Sequence, residues 1–445
     1  MSDRINTSEH QAWVDIDSVK PTAGYDFGTD ATNKDIAKNF GLKFESDKNN
    51  QASEIKIGPF VGVQRLSVTD GTDVIAHSSP KQFDNKTMDY AAMFDYCMGN
   101  PTVARHMGKC FFVWTDESQI PIEKDKQIYE LLIFSFVNSL HELCQRHLRR
   151  TAIRRTENLV GKVKGRIMVS QQIRQNLSVN RPDRVVCNYI EHNIDCRENQ
   201  ILRAALEVAA KYISAKGYDN LNQKIGFCRN ALEGVSVRRI DRREFIGIRY
   251  AGAFQHYKEA HGLAKAVLFT LGINPEDHSQ AQKEMTQVYP FVLCTFELFE
   301  RFTEAVLRRQ YKDHQLWVGY DNNDLTSDGY TVRPDMILID NDGTPYIIDA
   351  KYKVVPNGKA CDEDRKDAYK SVAYAHHFGV IKLIESYLAK LGHDENLCKN
   401  RKTVLLYPQL VKTEKQNHSI TFTGYIDVGF SRLIKVTIPC PMQKL

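Results

Sequence analysis

The sequence lacks several features that define common classes of protein. Its ten cysteines include no C-x-x-C pair, and their spacing fits neither a zinc site nor the disulfide framework of a small secreted domain. It has no G-x-x-x-x-G-K-[ST] motif, so we expect the chain to bind no nucleotide itself. The longest apolar windows, such as LLIFSFVNSL, are shorter than the ~20 residues that cross a bilayer. The polar N-terminus has no apolar core of signal-peptide length, and we therefore expect a cytoplasmic protein without a membrane segment.

The composition is that of an ordinary globular chain. The 445 residues are 42% hydrophobic and 26% charged, which is enough apolar material for a buried core. At ~150 residues per domain, the length favours two or three domains. The net charge of +5 permits a polyanionic partner but does not require one.

The distribution of apolar residues divides the sequence into four parts. Residues 1–50 form a polar N-terminal extension, and residues 51–125 contain short β-type runs broken by Gly-Pro and Asp-Gly. Residues 126–284 are predicted to be a mainly helical middle region, and residues 285–445 an α/β domain. We therefore predict a multi-domain α/β protein with a small β-rich N-terminal unit.

Amphipathic and apolar patterns predict five long helices. They cover 126–150, 196–217, 254–272, 291–311 and 362–390. Apolar runs in the last third, including TVLLYP and RLIKVTI, predict buried strands. The order helix, strand, strand, helix, strand in this third is typical of an α/β fold.

Two apolar runs in the last third are predicted to pair as a β-hairpin. Residues 336–339 and 346–348 flank Asn-Asp-Gly at 341–343, which suits a three-residue loop with glycine where φ is positive. Pairing symmetric about Asp342 places Asp335 opposite Asp349, with Cβ atoms ~5 Å apart. A bulge at the glycine would shift this register by one residue.

Asp335, Asp349 and Lys351 form a candidate catalytic cluster at one end of this hairpin. Asp349 and Lys351 point the same way, because residues two apart on a strand share a face. Adjacent carboxylates repel unless a cation lies between them, and Mg²⁺ or Mn²⁺ suits oxygen ligands of this kind. Such an ion polarises a phosphate, and the lysine adds a fixed positive charge. The alternative is a surface hairpin with an ordinary ion pair.

The P-D-x(13)-D-x-K arrangement resembles the core of PD-(D/E)xK nucleases. Further segments resemble, in order, the McrC family, the nuclease subunits of McrBC-type 5-methylcytosine-specific restriction systems. They are GPFVGVQRLSVTDGTDVIAHSSPK, GKVKGRI, DCRENQILRAAL, FELFERF, RPDMIL, DAKYK and LLYP. The resemblance implies a restriction-endonuclease-like C-terminal domain that hydrolyses DNA phosphodiester bonds with water and Mg²⁺.

The resemblance also implies roles for individual residues. Asp335 and Asp349 would bind the metal, with Glu300 as a further metal contact, and Lys351 would support the attacking water or the phosphate. One position departs from the family, because Lys370 stands where glutamine is expected in the helix after the Asp-x-Lys strand.

Three glutamates share one side of the predicted helix at 291–311. Glu297 and Glu304 lie three and four residues from Glu300 on this side. We expect the stripe to be mostly solvated, with Glu300 as the site residue and Glu297 as a second candidate.

The partners are also implied by the resemblance. An AAA+ GTPase, McrB, would read modified double-stranded DNA and translocate it, and the N-terminal and middle regions of this chain would dock on its ring. Nuclease domains would pair to break both strands.

A run of basic residues follows the helix at 126–150. It could contact DNA phosphates, a partner subunit or only solvent. The candidate DNA-binding residues, here and near the cluster, are Arg154, Arg155, Lys162, Lys164, Arg166, Lys353 and Lys370.

Two further functions remain open beside the restriction nuclease. In one, the nuclease-like fold serves as a regulatory scaffold that activates the partner GTPase. In the other, the chain is a stand-alone nuclease of DNA repair that needs no GTPase.

Overall fold

The protein has a mixed α/β fold with a β-rich N-terminal region. The computed structural model describes residues 4–8, 43–46, 52–56, 58, 60–67, 73–80, 87–123, 126–214, 217–271, 285–319, 325–327, 330–353, 362–411, 420, 426–428 and 431–442. Most of the predicted polar extension lies outside these residues. No helix among the described residues is both long enough and apolar enough to cross a membrane.

Strands occur throughout the described residues. In chain order they are β1 (Arg4–Ser8), β2 (Lys43–Ser46), β3 (Ala52–Lys56), β4 (Phe60–Ser67), β5 (Asp73–Ser79), β6 (Phe111–Val113), β7 (Ile120–Glu123), β8 (Thr151–Val160), β9 (Arg166–Ile167), β10 (Arg184–Asn193), β11 (Met285–Val288), β12 (Phe291–Cys294), β13 (Leu316–Val318), β14 (Leu325–Ser327), β15 (Tyr330–Val332), β16 (Met336–Ile339), β17 (Pro345–Ala350), β18 (Lys402–Val411), β19 (Ile426–Val428) and β20 (Ser431–Pro441).

Helices occupy mainly the middle and the last third of the chain. In chain order they are α1 (Tyr90–Met98), α2 (Pro101–Ala104), α3 (Lys126–Cys144), α4 (Val169–Gln175), α5 (Arg197–Ile213), α6 (Asp219–Ala231), α7 (Tyr257–Leu271), α8 (Thr295–Gln310), α9 (Asp362–His376) and α10 (Phe378–Leu391).

The chain forms two compact units. Unit 1 comprises Met1–Ser135 and Gln282–Leu445, and unit 2 comprises Phe136–Ala281. The four-part division of the sequence stays a prediction. Within unit 1, strands from the N-terminal and C-terminal thirds of the chain pair with each other.

A five-stranded sheet of unit 1 has the order β1-β5-β4-β12-β6. Its strand β12 corrects the prediction of a helix over 291–311, because that helix begins only at Thr295. The run FVLC at 291–294 pairs antiparallel with β4 and β6, and all four of its residues are buried. An apolar run of this length does not distinguish a buried strand from a helical turn, and pairing with distant strands decides the outcome.

A six-stranded sheet in the same unit has the order β13-β16-β17-β18-β20-β19. Strands β17, β18 and β20 are parallel, and helices α9 and α10 connect β17 to β18. Ile337, Ile339 and Ile347 pack against Tyr374 of α9 and Ile384 of α10 in one apolar cluster. Burial of the central strands explains why their sequences are continuous apolar runs.

The helix predicted over 362–390 is divided in two. His377 has an extended backbone (φ −73°, ψ 126°) and is the N-cap of α10. The Arg401 guanidinium donates to the Ala375 carbonyl at 2.5 Å, which satisfies one orphan acceptor at the end of α9.

The predicted hairpin is confirmed with its register. Met336 pairs with Ile348 and Ile339 pairs with Pro345, so the pairing is symmetric about Asp342 without a one-residue shift. Gly343 closes the loop with φ +79°. Asp340 Oδ1 accepts from the backbone N–H groups of the loop residue Asp342 and of Thr344.

Replacing Gly343 with alanine should lower the free energy of unfolding by about 2 kcal/mol, from the left-handed backbone and a clash together. A Cβ at position 343 would lie 2.7 Å from Leu397 Cδ1 and 3.0 Å from the His393 ring. The matched control is Gly392→Ala, because Gly392 has φ +78° and open space around its Cβ position. Chemical denaturation should show a larger loss for Gly343. Equal losses would mean that the clash relaxes without cost.

The middle region is helical in part, and the prediction missed a sheet. In unit 2, β8, β10 and β9 form a three-stranded antiparallel sheet in that order. Most residues of β8 are exposed, and it carries Arg154, Arg155 and Glu157. The sheet therefore has too little apolar alternation to be recognised from sequence. The buried Asn176 exchanges two hydrogen bonds with Asn158 of β8 and so ties down the turn that follows α4.

Candidate active site

The hairpin of unit 1 brings three of the predicted site residues together. Asp335 immediately precedes β16, Asp349 lies near the end of β17, and Lys351 follows that strand. The register of the hairpin continues to place Asp335 opposite Asp349. Lys351 is held in line with the sheet because its N–H donates to the Leu406 carbonyl at 2.8 Å.

Asp335 is anchored by the backbone of the neighbouring strand. Its Oδ2 accepts from the Ala350 N–H at 2.7 Å. Burial, and then the nearby Asp349 carboxylate, raise the pKa of Asp335 to about 7. The folded environment therefore favours the protonated form of Asp335 more than water does.

Asp349 is buried beside two lysines. Its side chain is 1% exposed, with Lys351 Nζ 2.5 Å from Oδ2 and Lys370 Nζ 3.8 Å from Oδ1. Neither carboxylate oxygen accepts a hydrogen bond of good geometry from the described residues. A buried carboxylate with both oxygens in this state is poised to bind a cation.

Glu300 of α8 belongs electrostatically to the same cluster. Burial, and then the carboxylate of Asp335, raise its pKa well above the ordinary value, and Asp349 adds to the effect. The acid predicted as a further metal contact therefore lies close enough to Asp335 to be affected by its charge.

The predicted solvated stripe on α8 is wrong for Glu304. This residue is fully buried, and its carboxylate binds Arg308 at 2.7 Å and Arg301 at 3.9 Å. Arg301 is also buried and binds Glu297 at 2.8 Å. Glu297 and Glu304 thus belong to a structural ion-pair network, whereas Glu300 belongs to the candidate site.

Helix α9 contributes a second row of charges that sequence reasoning partly missed. Asp367 Oδ2 binds Lys353 Nζ at 2.5 Å, and its Oδ1 lies 3.8 Å from Lys351 Nζ. Lys370, three residues later, reaches Asp349. Asp367, Lys370 and Tyr374 follow the i, i+3, i+7 spacing of one helical face, which is the signal that could have identified Asp367.

A tyrosine pair supports the end of β17 from the other side. Tyr352 lies between the two site lysines in sequence, and its side chain alternates with theirs. Its hydroxyl and that of Tyr90 in α1 are 2.9 Å apart, and its ring centroid lies 5.9 Å from that of Phe299 in α8. These buried contacts fix the backbone from which Lys351 and Lys353 project.

The donor set suits a hard divalent cation. Among the described residues, no group of three or more His, Cys, Asp or Glu side chains is arranged so that it could hold a metal ion. The fit of these residues to a cation rests instead on the buried Asp349 carboxylate. This carboxylate lacks hydrogen bonds and lies opposite Asp335, whose pKa is raised. Carboxylate oxygens of Asp335, Asp349 and Glu300 are the ligand type that Mg²⁺ prefers.

The other candidate DNA-binding residues lie in unit 2. Arg154 and Arg166 are exposed on β8 and β9, and Lys162 is exposed between these strands. Arg155 forms ion pairs with Glu157 and Glu191, and the Lys164 ammonium lies 5.0 Å from the Tyr189 ring centroid. Their exposure suits DNA, a protein partner or solvent equally.

A family comparison identifies the chain. The family described as McrBC 5-methylcytosine restriction system component matches residues 102–383, which is more than half of the sequence. The chain belongs to the McrBC family. Membership confirms the resemblance seen in the sequence.

Two solved structures are similar to this McrBC family member. One is a half-complex of Thermococcus gammatolerans McrB AAA+ hexamers with bound McrC, with 14% identity, coverage of 98% of this chain and 94% of that chain, and a TM-score of 0.37. The other is the Thermococcus gammatolerans McrBC complex, with 18% identity, coverage of 69% and 87%, and a TM-score of 0.31. Comparison with curated proteins gives no significant match.

Proposed function

We propose that this chain is the Mg²⁺-dependent endonuclease subunit of an McrBC restriction complex. It hydrolyses phosphodiester bonds of modified double-stranded DNA when an AAA+ GTPase partner drives the complex. The observation that carries the proposal is the pairing of the half-buried Asp335 with the buried Asp349 beside Lys351, at one end of the hairpin. Family membership supports the same function.

Each side chain of the cluster has a distinct role in this proposal. Asp335, Asp349 and Glu300 hold the divalent cation, which when bound supplies a Lewis acid for the phosphate. The Lys351 ammonium shifts from Asp349 toward the attacking water or the phosphate and orients it. Asp367 positions this lysine, because it holds Lys351 and Lys353 at the end of β17.

Unit 2 supplies a surface suited to docking on the partner ring. Large apolar side chains are exposed along 160–190, a stretch that includes β9, α4 and part of β10. They include Val160, Val163, Ile167, Val169, Leu177 and Ile190. Exposed apolar groups at this density are typical of protein interaction sites. We assign them to the GTPase partner, and measuring GTP hydrolysis with and without this chain tests the assignment.

A reconstitution experiment tests the proposed function. The purified chain is mixed with its AAA+ partner, GTP, Mg²⁺ and duplex DNA containing 5-methylcytosine. We expect cleavage that requires all components and stops when EDTA removes the metal. Cleavage without the partner and GTP would instead indicate a stand-alone nuclease.

One observation favours the regulatory scaffold as a second function. The Lys351 ammonium contacts Asp349 directly, and the described residues contain no group of three or more acidic, His or Cys side chains that could hold a metal ion as arranged. A site closed by its own lysine could bind and activate the GTPase without cutting. Stimulated GTP hydrolysis without any DNA cleavage in the reconstituted complex would select this alternative.

The pKa of Asp335 gives the proposed metal binding a pH dependence. Without metal the folded protein retains the proton up to about pH 7, whereas an unfolded aspartate loses it near 3.8, so this group destabilises the fold increasingly between these values. Mg²⁺ needs the ionised carboxylate. We therefore expect Mg²⁺ to raise the melting temperature more at about pH 8 than at about pH 6.

Asp335→Asn is the control for this measurement, because it removes the titrating group and keeps the shape. The variant should lose most of the Mg²⁺-dependent rise at both pH values. An equal rise in the native chain at both values would contradict the assignment of Asp335 as a ligand.

A further inference from the structure

The two lysines beside Asp349 differ in how they meet solvent. The Lys351 side chain is 18% exposed and lies against Oδ2, whereas the Lys370 side chain is 50% exposed and lies 3.8 Å from Oδ1. Lys370 is therefore the site lysine most accessible to substrate.

Contacts on helix α9 hold Lys370 in this position. Its ammonium lies 5.3 Å from the ring centroid of Tyr374, one turn later on the same helix, which is a cation–π distance. Asp367, nearly one turn earlier, is engaged with Lys353 and Lys351. The positive charge of Lys370 is thus directed at Asp349 and at the space beside it.

Lys370 is not the cation closest to Asp349. Lys351 contacts this carboxylate at the shorter distance, so the charge of the more exposed Lys370 is the one available to an incoming phosphate. Positive charge placed in advance next to a reacting group is most effective where negative charge develops.

We propose that Lys370 is a second catalytic lysine, which binds a non-bridging oxygen of the phosphodiester being cleaved and stabilises its charge in the transition state. The inference rests on the proposed nuclease function. In the hydrolysis, water oxygen bonds to phosphorus and the bond from phosphorus to the departing sugar oxygen breaks. One water proton ends on that departing oxygen. Lys370 stays protonated throughout.

The test separates catalysis from DNA binding. Single-turnover cleavage of 5-methylcytosine duplex DNA is measured at saturating complex, with the full chain, partner, GTP and Mg²⁺. Dissociation constants for the same DNA are measured by fluorescence anisotropy with Ca²⁺ in place of Mg²⁺. Lys370→Met and Lys370→Gln should cut on the order of 100-fold more slowly, with dissociation constants changed by less than about threefold. Lys370→Arg, which keeps the charge, should recover about tenfold of the loss.

Lys366→Met is the matched control, because Lys366 is exposed on the same helix one turn earlier. It should leave both the rate and the dissociation constant unchanged. A dissociation constant that rises in proportion to the lost rate would overturn the proposal, since Lys370 would then only bind DNA. Wild-type cleavage by Lys370→Gln would also overturn it, since the charge would be unused.

Asp349→Asn distinguishes failure of this inference from failure of the proposed function. If Asp349→Asn is inactive while Lys370→Gln cuts normally, only the role of Lys370 is rejected. If Asp349→Asn cuts normally, the nuclease site and the role of Lys370 are rejected together.

Discussion

Asp349→Asn is expected to reduce DNA cleavage by at least about 1000-fold, which corresponds to about 4 kcal/mol of transition-state stabilisation. Asp349 is the most buried acid of the cluster, and the change removes its negative charge while keeping its shape. The proposed metal site then loses a central ligand. The Lys351 and Lys370 ammonium groups also lose the carboxylate that holds them. Single-turnover cleavage by the reconstituted complex measures the effect.

Stimulation of the partner provides the control for this prediction. GTP hydrolysis by the partner should stay near its native level, because the substitution preserves volume within unit 1. If the Asp349→Asn complex cuts DNA at the native rate, the proposed nuclease site is wrong and the scaffold function remains. Loss of both activities would point to misfolding, which thermal unfolding of the isolated variant detects.

Arg301→Met is expected to lower the free energy of unfolding by about 3 kcal/mol, the largest stability effect that we predict. Arg301 is buried in α8 and binds Glu297 at 2.8 Å. It also lies 3.9 Å from Glu304, which is fully buried. Removing the guanidinium leaves two carboxylates with less compensation in a poorly hydrated environment. Chemical denaturation followed by circular dichroism measures the loss.

A double substitution tests whether the loss comes from uncompensated charge. Adding Glu304→Gln to Arg301→Met removes the charge of one carboxylate that lost its partner. The double variant should therefore lose less free energy of unfolding than the sum of the losses of the two single variants. Arg309→Met, at an exposed position of the same helix, should cost less than about 1 kcal/mol. A loss of less than about 1 kcal/mol for Arg301→Met would show that its ion pairs with Glu297 and Glu304 contribute little to stability.

Proximity along the chain explains which features could be predicted from sequence. The hairpin, its glycine loop and its register follow from two apolar runs around Asn-Asp-Gly, because strand alternation and turn geometry act over a few residues. The meeting of Asp335 with Asp349 follows from the same register. The extra sheet of unit 2 escaped prediction because β8 is mostly exposed, which hides the alternation that identifies a strand.

Contacts between distant segments account for the rest of the candidate site. Tyr90 reaches Tyr352 across 262 residues, and β12 enters a sheet formed mainly by the N-terminal third. The sequence of α8 shows three glutamates on one side, yet only packing buries Glu304 with arginines and places Glu300 near Asp335.

The sequence by itself determined the candidate hairpin, with its two acids and its lysine, because those side chains are arranged by local backbone geometry. Only the tertiary structure decided that Asp367 contacts Lys351 and Lys353 and that Asp349 is buried beside two ammonium groups. Burial and the packing of a helix on a sheet depend on surfaces brought together from distant parts of the chain, and no local pattern encodes them.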